Sequence, residues 1–518
     1  MLSSFIAYKS DLTFKQRVAP ATEEERGILG RRYFVTRRIK NNDAQLLSVG
    51  VKSVSTTEWN GTKVEHRVFN LLDYIEHIGG AVMRRILPCL LLFSSLLACA
   101  QDQATRSVKV DVSGAWILRE QMFDEVQTQR MSLQVSRLTN RISGQIGSSK
   151  IDGTISDSHV SLKMLTSSGR VIATYTGEAK DGGLSGTGDW DGTKSQWSAR
   201  RPASKPEDSP RTHTYTPTEF YRTFSYALPP VLHIFPGDTV RTKSIDAAGT
   251  DENSARRSIG GDPLTGPFFV EGALPGDTLV IKLNRIRTNR DWAWSGQSLI
   301  GNALAPDYLM NLKRQRDFNS RWKIDKAKGT VYLDTPTDPL KGFTVPLQPM
   351  LGSVGVAPQG RNATRTIESG EFGGNMDYNQ IKEGATIYLP VFHDGALLLV
   401  GDGHAAQGDG ELTGDALETS MDIEFTVDVI PQKSIRTPRV ENDEFLMAVG
   451  IAGSLDQALQ TATTEMARWL EGDYKLNPNE SAMILGSAMK YDVADLVSTQ
   501  VSIVAKVPKS LLATLRHQ

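Results

Sequence analysis

The sequence predicts a mainly β, α+β protein: a small N-terminal sandwich- or barrel-like domain, then a larger β-rich domain with helices at its C-terminal end. Three observations carry this. Short alternating apolar–polar runs separated by turn residues recur at close spacing across 104–200. Further strand-like runs fill the chain from His213 onward, two of them joined through Pro-Gly-Asp turns. From His213 onward, helical spacing of apolar residues is confined to the region beyond Ser454, and Val68–Ile78 reads as a short helix further upstream.

The chain of 518 residues exceeds one domain on length alone. It is 39% hydrophobic and 23% charged with a net charge of −1, so charge gives no reason to expect nucleic acid or an anionic membrane surface as partner. The only two cysteines, Cys89 and Cys99, lie in one apolar run. The remaining chain therefore has no disulfide, no thiolate metal site and no cysteine nucleophile.

Residues 1–82 mix charged stretches with short β-like runs such as Leu46–Val54, and carry no recognisable chemistry. At 83–100, Met83-Arg84-Arg85 precedes the apolar Ile86–Ala98 and then Cys99-Ala100. A basic start, roughly 13 apolar residues and small residues at the end are the features of a secretory signal, and the run is too short to span a bilayer. Leu96-Leu97-Ala98-Cys99 also fits a lipoprotein signal with Cys99 lipidated, whereas cleavage before Gln101 would make an ordinary secreted protein. Either way the expected location is extracytoplasmic, with a Cys99 lipid anchor as the sole membrane attachment. Residues 1–82 are then expected to be an upstream over-extension of the reading frame.

In the 104–200 domain the expected strands include Met131–Val135, Arg141–Ile146, Ile151–Ile155, Val160–Met164 and Val171–Tyr175. Residues 201–212, rich in Pro, Ser and charge, read as a linker. Within 213–518, Pro236-Gly237-Asp238 and Pro275-Gly276-Asp277 join strands, and Asp238 and Asp277 read as turn residues. Ser454 and Gln457 form a capping-box pattern for a helix carrying Leu455, Ala458, Leu459, Ala462, Met466, Trp469 and Leu470, stopped at Gly472. A second helix is expected over Glu480–Met489. His233, on an apolar strand, reads as a core histidine.

The chemistry concentrates in Gly401-Asp402-Gly403-His404-Ala405-Ala406-Gln407-Gly408-Asp409-Gly410-Glu411. The apolar Ala396–Val400 strand delivers this polar loop at its C-terminal end, and Asp402 and His404, two apart, face one side of an extended backbone. A converging carboxylate and imidazole can bind a divalent metal or act as base and orienter. Other polar groups at strand ends are Asp246, Glu271, Asn375 and Asp377.

The run GGNMDYNQIKEGATIYLPVFHDGALLLVGDGHAAQGDGELTGDALE (Gly373–Glu418) resembles the acetamidase/formamidase family, as do GPFFVEGALPGD (Gly266–Asp277) and VPLQPMLGSVGVAP (Val345–Pro358). The resemblance covers about 213–518 and implies hydrolysis of short amides to acid and ammonia on a β-rich fold, with zinc or calcium in a polar pocket. It further implies that Asp246, Glu271, Asn375, Asp377, Asp402, His404 and Glu411 meet there. In that scheme Asp402, His404 and Asp246 hold the metal. Glu411 or Glu271 serves as general base and proton donor. Asn375 and loop N–H groups hold the oxyanion, with Asp377 beside them. A homo-oligomer acting on a small amide is the expected assembly. The rival reading is a non-catalytic metal- or ligand-binding protein on the same fold. Arg287–Phe318, basic and carrying Trp292 and Trp294, departs from the family pattern, as do the signal segment and the small β-domain.

Overall fold

The computed structural model describes residues 54–59 and 62–67, and residues 110–515 apart from 314 and 316. The chain divides into two compact units, Met1–Arg106 and Ser107–Gln518. In the first, Val54–Trp59 pairs antiparallel with Thr62–Arg67. The signal-like segment at 83–100, Cys99, and the β-run ending at Val54 fall largely or wholly outside the described residues. No described helix is long and apolar enough to cross a membrane.

The second unit begins with a closed barrel of eight antiparallel strands in up-and-down order, from Gly114–Met122 to Thr193–Arg200, closed by pairing of those two strands. The period-2 pattern explains it: in His159–Leu165, Val160, Leu162 and Met164 point inward while His159, Ser161 and Lys163 face solvent. Trp116, Tyr175 and Trp197 fill the interior, the last two meeting edge to face at 6.0 Å. The barrel seats on the following domain through Arg130, whose two Nη atoms each donate at 2.6 Å to Asp277 of the second Pro-Gly-Asp turn.

Besides a two-stranded sheet that pairs Thr223–Ser225 with Ala363–Arg365, the larger domain contains two large sheets. One has nine strands, with Thr278–Thr288 between Met421–Ile430 and Thr386–Pro390. The other has eleven, and Leu398–His404 is its hub, pairing with Met350–Gly355, Glu418–Thr419 and Thr265–Val270. Ile281 and Phe425 from the first sheet and Leu399 and Val354 from the second share one core. Every residue of Leu398–His404 is buried. The strand therefore runs through His404 instead of ending at Val400, and Asp402 and His404 are strand residues, not loop residues.

Helix Leu455–Asp473 packs Ala458, Ala462, Met466, Trp469 and Leu470 against Leu446, Ala448, Ala505 and Val507. Each such large apolar side chain contributes on the order of 1.5–3 kcal/mol on burial. Two expected caps differ. Ser454 occupies the N-cap but makes no capping bond, its hydroxyl being drawn to Asp456. The helix runs past Gly472, and Lys475 at φ 60° takes the left-handed position that ends it. The second helix, Pro478–Ala488, starts at a full capping box of Asn477 and Glu480.

Candidate active site

His404 ends the hub strand opposite Glu418, its register partner on the two-residue Glu418–Thr419 strand. Its Nε2 lies 3.1 Å from Glu418 Oε1 and 3.4 Å from Asp402 Oδ1. Its Nδ1 lies 2.8 Å from Gln407 Oε1, while Gln407 Nε2 donates to the Asp377 carbonyl. That second bond fixes which end of the amide is oxygen. Nδ1 must then carry the proton, and the lone pair or second proton of Nε2 faces two carboxylates.

Asp377 closes the other side, with Asn375 Nδ2 donating to its Oδ2 at 2.6 Å. Glu411 Oε1 accepts the Ala416 N–H at 2.9 Å. Asp377, Asp402 and Glu411 all have positive φ, 43°, 55° and 48°, a conformation uncommon for residues with a side chain and frequent at ligand sites. Gly352, facing Asp402 across the sheet, shows how tightly the carboxylates converge. A Cβ there would lie 2.3 Å from Asp402 Oδ2 and 2.4 Å from Asp377 Oδ1.

Asp377, Asp402, His404, Glu411 and Glu418 are each at most 6% exposed. Burial raises the Asp377 carboxyl well above its usual range, with Glu411 and Asp402 adding repulsion. Glu411 rises for the same reason, only partly offset by His404. Burial pushes Glu418 up to about 8, against the attraction of His404 and with the repulsion of Asp402. For His404, burial disfavours the charge, but Glu418 and Asp402 outweigh it and the imidazole is held well above its ordinary value. Half-buried Asp262 and Asp415 face the same charges, and burial together with Asp402 raises both.

Asn375 Oδ1, Asp377 Oδ1, Asp402 Oδ1 and Glu418 Oε2 are buried without a hydrogen-bond partner. Four orphaned oxygens in one buried cluster are far outside the usual satisfaction of buried polar groups, and a bound cation would satisfy them. Two triads, Asp377–His404–Glu411 and Asp402–His404–Glu418, place one ligand atom from each residue within 4.8 Å of the others.

Of the residues expected at the site, the structure brings together Asn375, Asp377, Asp402, His404 and Glu411. Asp246 goes elsewhere. It accepts from Arg290 Nη2 at 2.7 Å, Thr250 N at 2.7 Å and Trp294 Nε1 at 3.2 Å, and neither triad contains it. Arg290 in turn donates to the Glu418 carbonyl, so Asp246 supports the Glu418 strand from behind. Glu271 also lies apart, at the far end of the strand pair, more than about 20 Å from His404 by strand rise. It pairs with His233 at 2.7 Å, and His233 is half exposed and stacked on Phe269, not a core residue. Loop N–H groups expected at the oxyanion are partly engaged: Ala405, Gly410 and Glu411 donate to Leu417, Ala494 and Gly408 carbonyls. Trp292 and Trp294 of the Arg287–Phe318 stretch are themselves a sheet strand, Trp294 pairing with Glu418.

Glu418, Gln407 and Gly352 had no recognised role in the sequence. Glu418 lies fourteen positions from His404, and only strand register makes them neighbours. Gly352 sits in an otherwise ordinary apolar run.

Fold and site together define a β-rich protein with two large sheets around a buried His/Asp/Glu centre able to hold a divalent cation. Residues 343–468 match the model of the Acetamidase/Formamidase family. The chain is 29% identical to an acetamidase of Mycolicibacterium smegmatis over 32% of its own length and 53% of the relative's. It is 26% identical to a formamidase of Methylophilus methylotrophus, over 36% and 58%. The chain thus spans only about half the length of these curated relatives. Among solved structures, a predicted acetamidase/formamidase from Thermoanaerobacter tengcongensis superposes with TM-score 0.51 at 27% identity, over 59% of this chain and 98% of that one. An acetamidase from Bacillus halodurans does so with TM-score 0.51 at 29% identity, over 58% and 99%.

Proposed function

We propose that this chain hydrolyses the C–N bond of short linear amides, formamide- or acetamide-like, to a carboxylic acid and ammonia at the His404 cluster. The observation that carries the reading is the set of orphaned carboxylate and amide oxygens around an imidazole whose tautomer is fixed. The likeness to acetamidases and formamidases supports the reaction class.

Asp402, His404 and Glu418, with Asp377 and Glu411 adjoining, would hold a divalent ion. The imidazole favours zinc over calcium, which takes oxygen ligands. Bound there, such an ion supplies Lewis-acid polarisation and a water of lowered pKa. The chain's own groups do the rest. Gln407 holds the His404 ring in register. Glu411, its carboxyl raised above the usual range by burial, is the group suited to take a proton and return it to the leaving nitrogen. Asn375 orients Asp377.

The test is ammonia release by the full chain from formamide, acetamide, longer aliphatic amides and aromatic amides, alongside metal content. Turnover of short amides by wild type, lost in Asp402→Asn, is the expected result. Bound metal with no ammonia from any amide would overturn the reading in favour of a binding protein. We further propose that the mature chain lies outside the cytoplasm, on the Met83–Ala100 pattern. Sequencing the native N-terminus checks it: a start at Cys99 or Gln101 is expected, and a peptide from 1–82 would contradict it.

A further inference from the structure

A cavity of about 490 Å³ opens between the segment around Arg436 and the C-terminal half of the Leu455–Asp473 helix, sharing no residue with the His404 cluster. Five cationic side chains and two carboxylates line it, a net positive wall on a chain whose net charge is −1. Most of these charges are spoken for. Arg439 Nε and Nη2 both reach Glu465 Oε1, at 2.9 and 2.7 Å. Lys433 meets Asp473 at 2.7 Å, and Lys475 donates to the Gly472 carbonyl.

Three groups are left over. Arg436 is exposed and has no ion pair or side-chain hydrogen bond among the described residues. Arg468 is half exposed, and its Nη1 lies 3.7 Å from Glu465 Oε2, ion-paired but too far for a hydrogen bond. Glu465 itself is 1% exposed, and its Oε2 has no hydrogen-bond partner. A buried carboxylate oxygen without a hydrogen bond, beside one free guanidinium and one loosely ion-paired to it, asks for one kind of guest. It must offer anionic oxygens to the arginines and an N–H or O–H donor to Glu465.

We propose that this cavity binds a small anion that carries its own hydrogen-bond donor, of the hydrogenphosphate or amino-acid carboxylate class. Arg436 and Arg468 take the anionic oxygens and Glu465 Oε2 accepts the donor. The Glu465 contact is what gives selectivity. An anion of equal charge with no donor would leave two acceptors face to face.

The test is calorimetric titration of the full chain near pH 8, where phosphate is mostly a dianion with one O–H. Phosphate, sulfate and glutamate are the probes, at constant ionic strength. Phosphate is expected to bind at least about tenfold tighter than sulfate, the worth of one charge-assisted hydrogen bond. Arg436→Glu and Arg468→Glu should each weaken phosphate binding about tenfold or more. Glu465→Gln should remove the preference over sulfate. Glutamate binding tighter than phosphate would assign the site to an amino acid, and the reverse order to phosphate. Sulfate binding as well as phosphate, binding unchanged in both arginine variants, or no binding of any probe would overturn the proposal. Ammonia release by Arg436→Glu should match wild type, so failure here is separable from failure at the His404 cluster.

Discussion

Glu120 of the barrel and Glu418 of the larger domain are both deeply buried carboxylates, 4% and 1% exposed, in opposite surroundings. Glu120 accepts from Trp190 Nε1 at 2.7 Å, Ser195 Oγ at 2.5 Å and Tyr175 Oη at 3.1 Å, and neither of its oxygens is orphaned. Glu418 has one oxygen near His404 and the other with no partner, among three more carboxylates. Burial alone therefore does not mark a functional group. A satisfied buried carboxylate is architecture, whereas a cluster of unsatisfied ones is held together by its surroundings and completed by something bound.

The largest effect is expected from Gly352→Ala. The added Cβ would displace Asp402 and Asp377 together, and kcat/KM for amide hydrolysis should fall on the order of a hundredfold or more. Gly472→Ala, at an open helical position, is the control and should leave turnover unchanged.

The next effect is a pH dependence. Glu418 rises from 4.5 to about 8 on folding, so the folded state holds that proton more tightly than the unfolded chain. The resulting stability is full below about pH 4.5 and lost as pH climbs towards about 8. Raised His404 acts in the same sense, its contribution fading above its own elevated value. The melting temperature of the chelator-treated protein should therefore fall as pH rises across this range. Saturating zinc, which binds the ionised forms, should flatten or reverse the fall. A metal-free melting temperature that climbs with pH would contradict the account.

Asp246→Asn should cost about 3 kcal/mol by leaving Arg290 buried and unpaired, while metal stoichiometry stays at the wild-type value. Denaturant unfolding with metal analysis separates that outcome from a ligand role. Glu120→Ala should lower stability by about 1–3 kcal/mol through three stranded donors, with kcat unchanged. Glu271→Gln, whose partner His233 is half exposed, should shift stability by no more than about 1 kcal/mol and leave turnover alone.

The same contrast explains what was legible in the sequence. The barrel announces itself because each strand has one wet face, so alternation is written into runs such as Val160–Met164. The hub strand has no wet face, and its burial hides both its period and its end. Asp402 and His404 looked like a loop because charged residues rarely finish a fully buried strand. Their partners Glu418 and Gly352 come from other strands, and no local pattern predicts a register. Asp246 reads as a metal ligand and Glu271 as a general base because both are carboxylates at strand ends. Arg290 and His233, distant in sequence, had already claimed them.

The most direct test of the central claim is metal content together with acetamide and formamide turnover in wild type and His404→Ala, each prepared with and without zinc. About one tightly held divalent ion per chain in wild type, with metal and ammonia release lost together in the variant, is the predicted result. Full turnover by His404→Ala, or by a metal-free wild type, would contradict it.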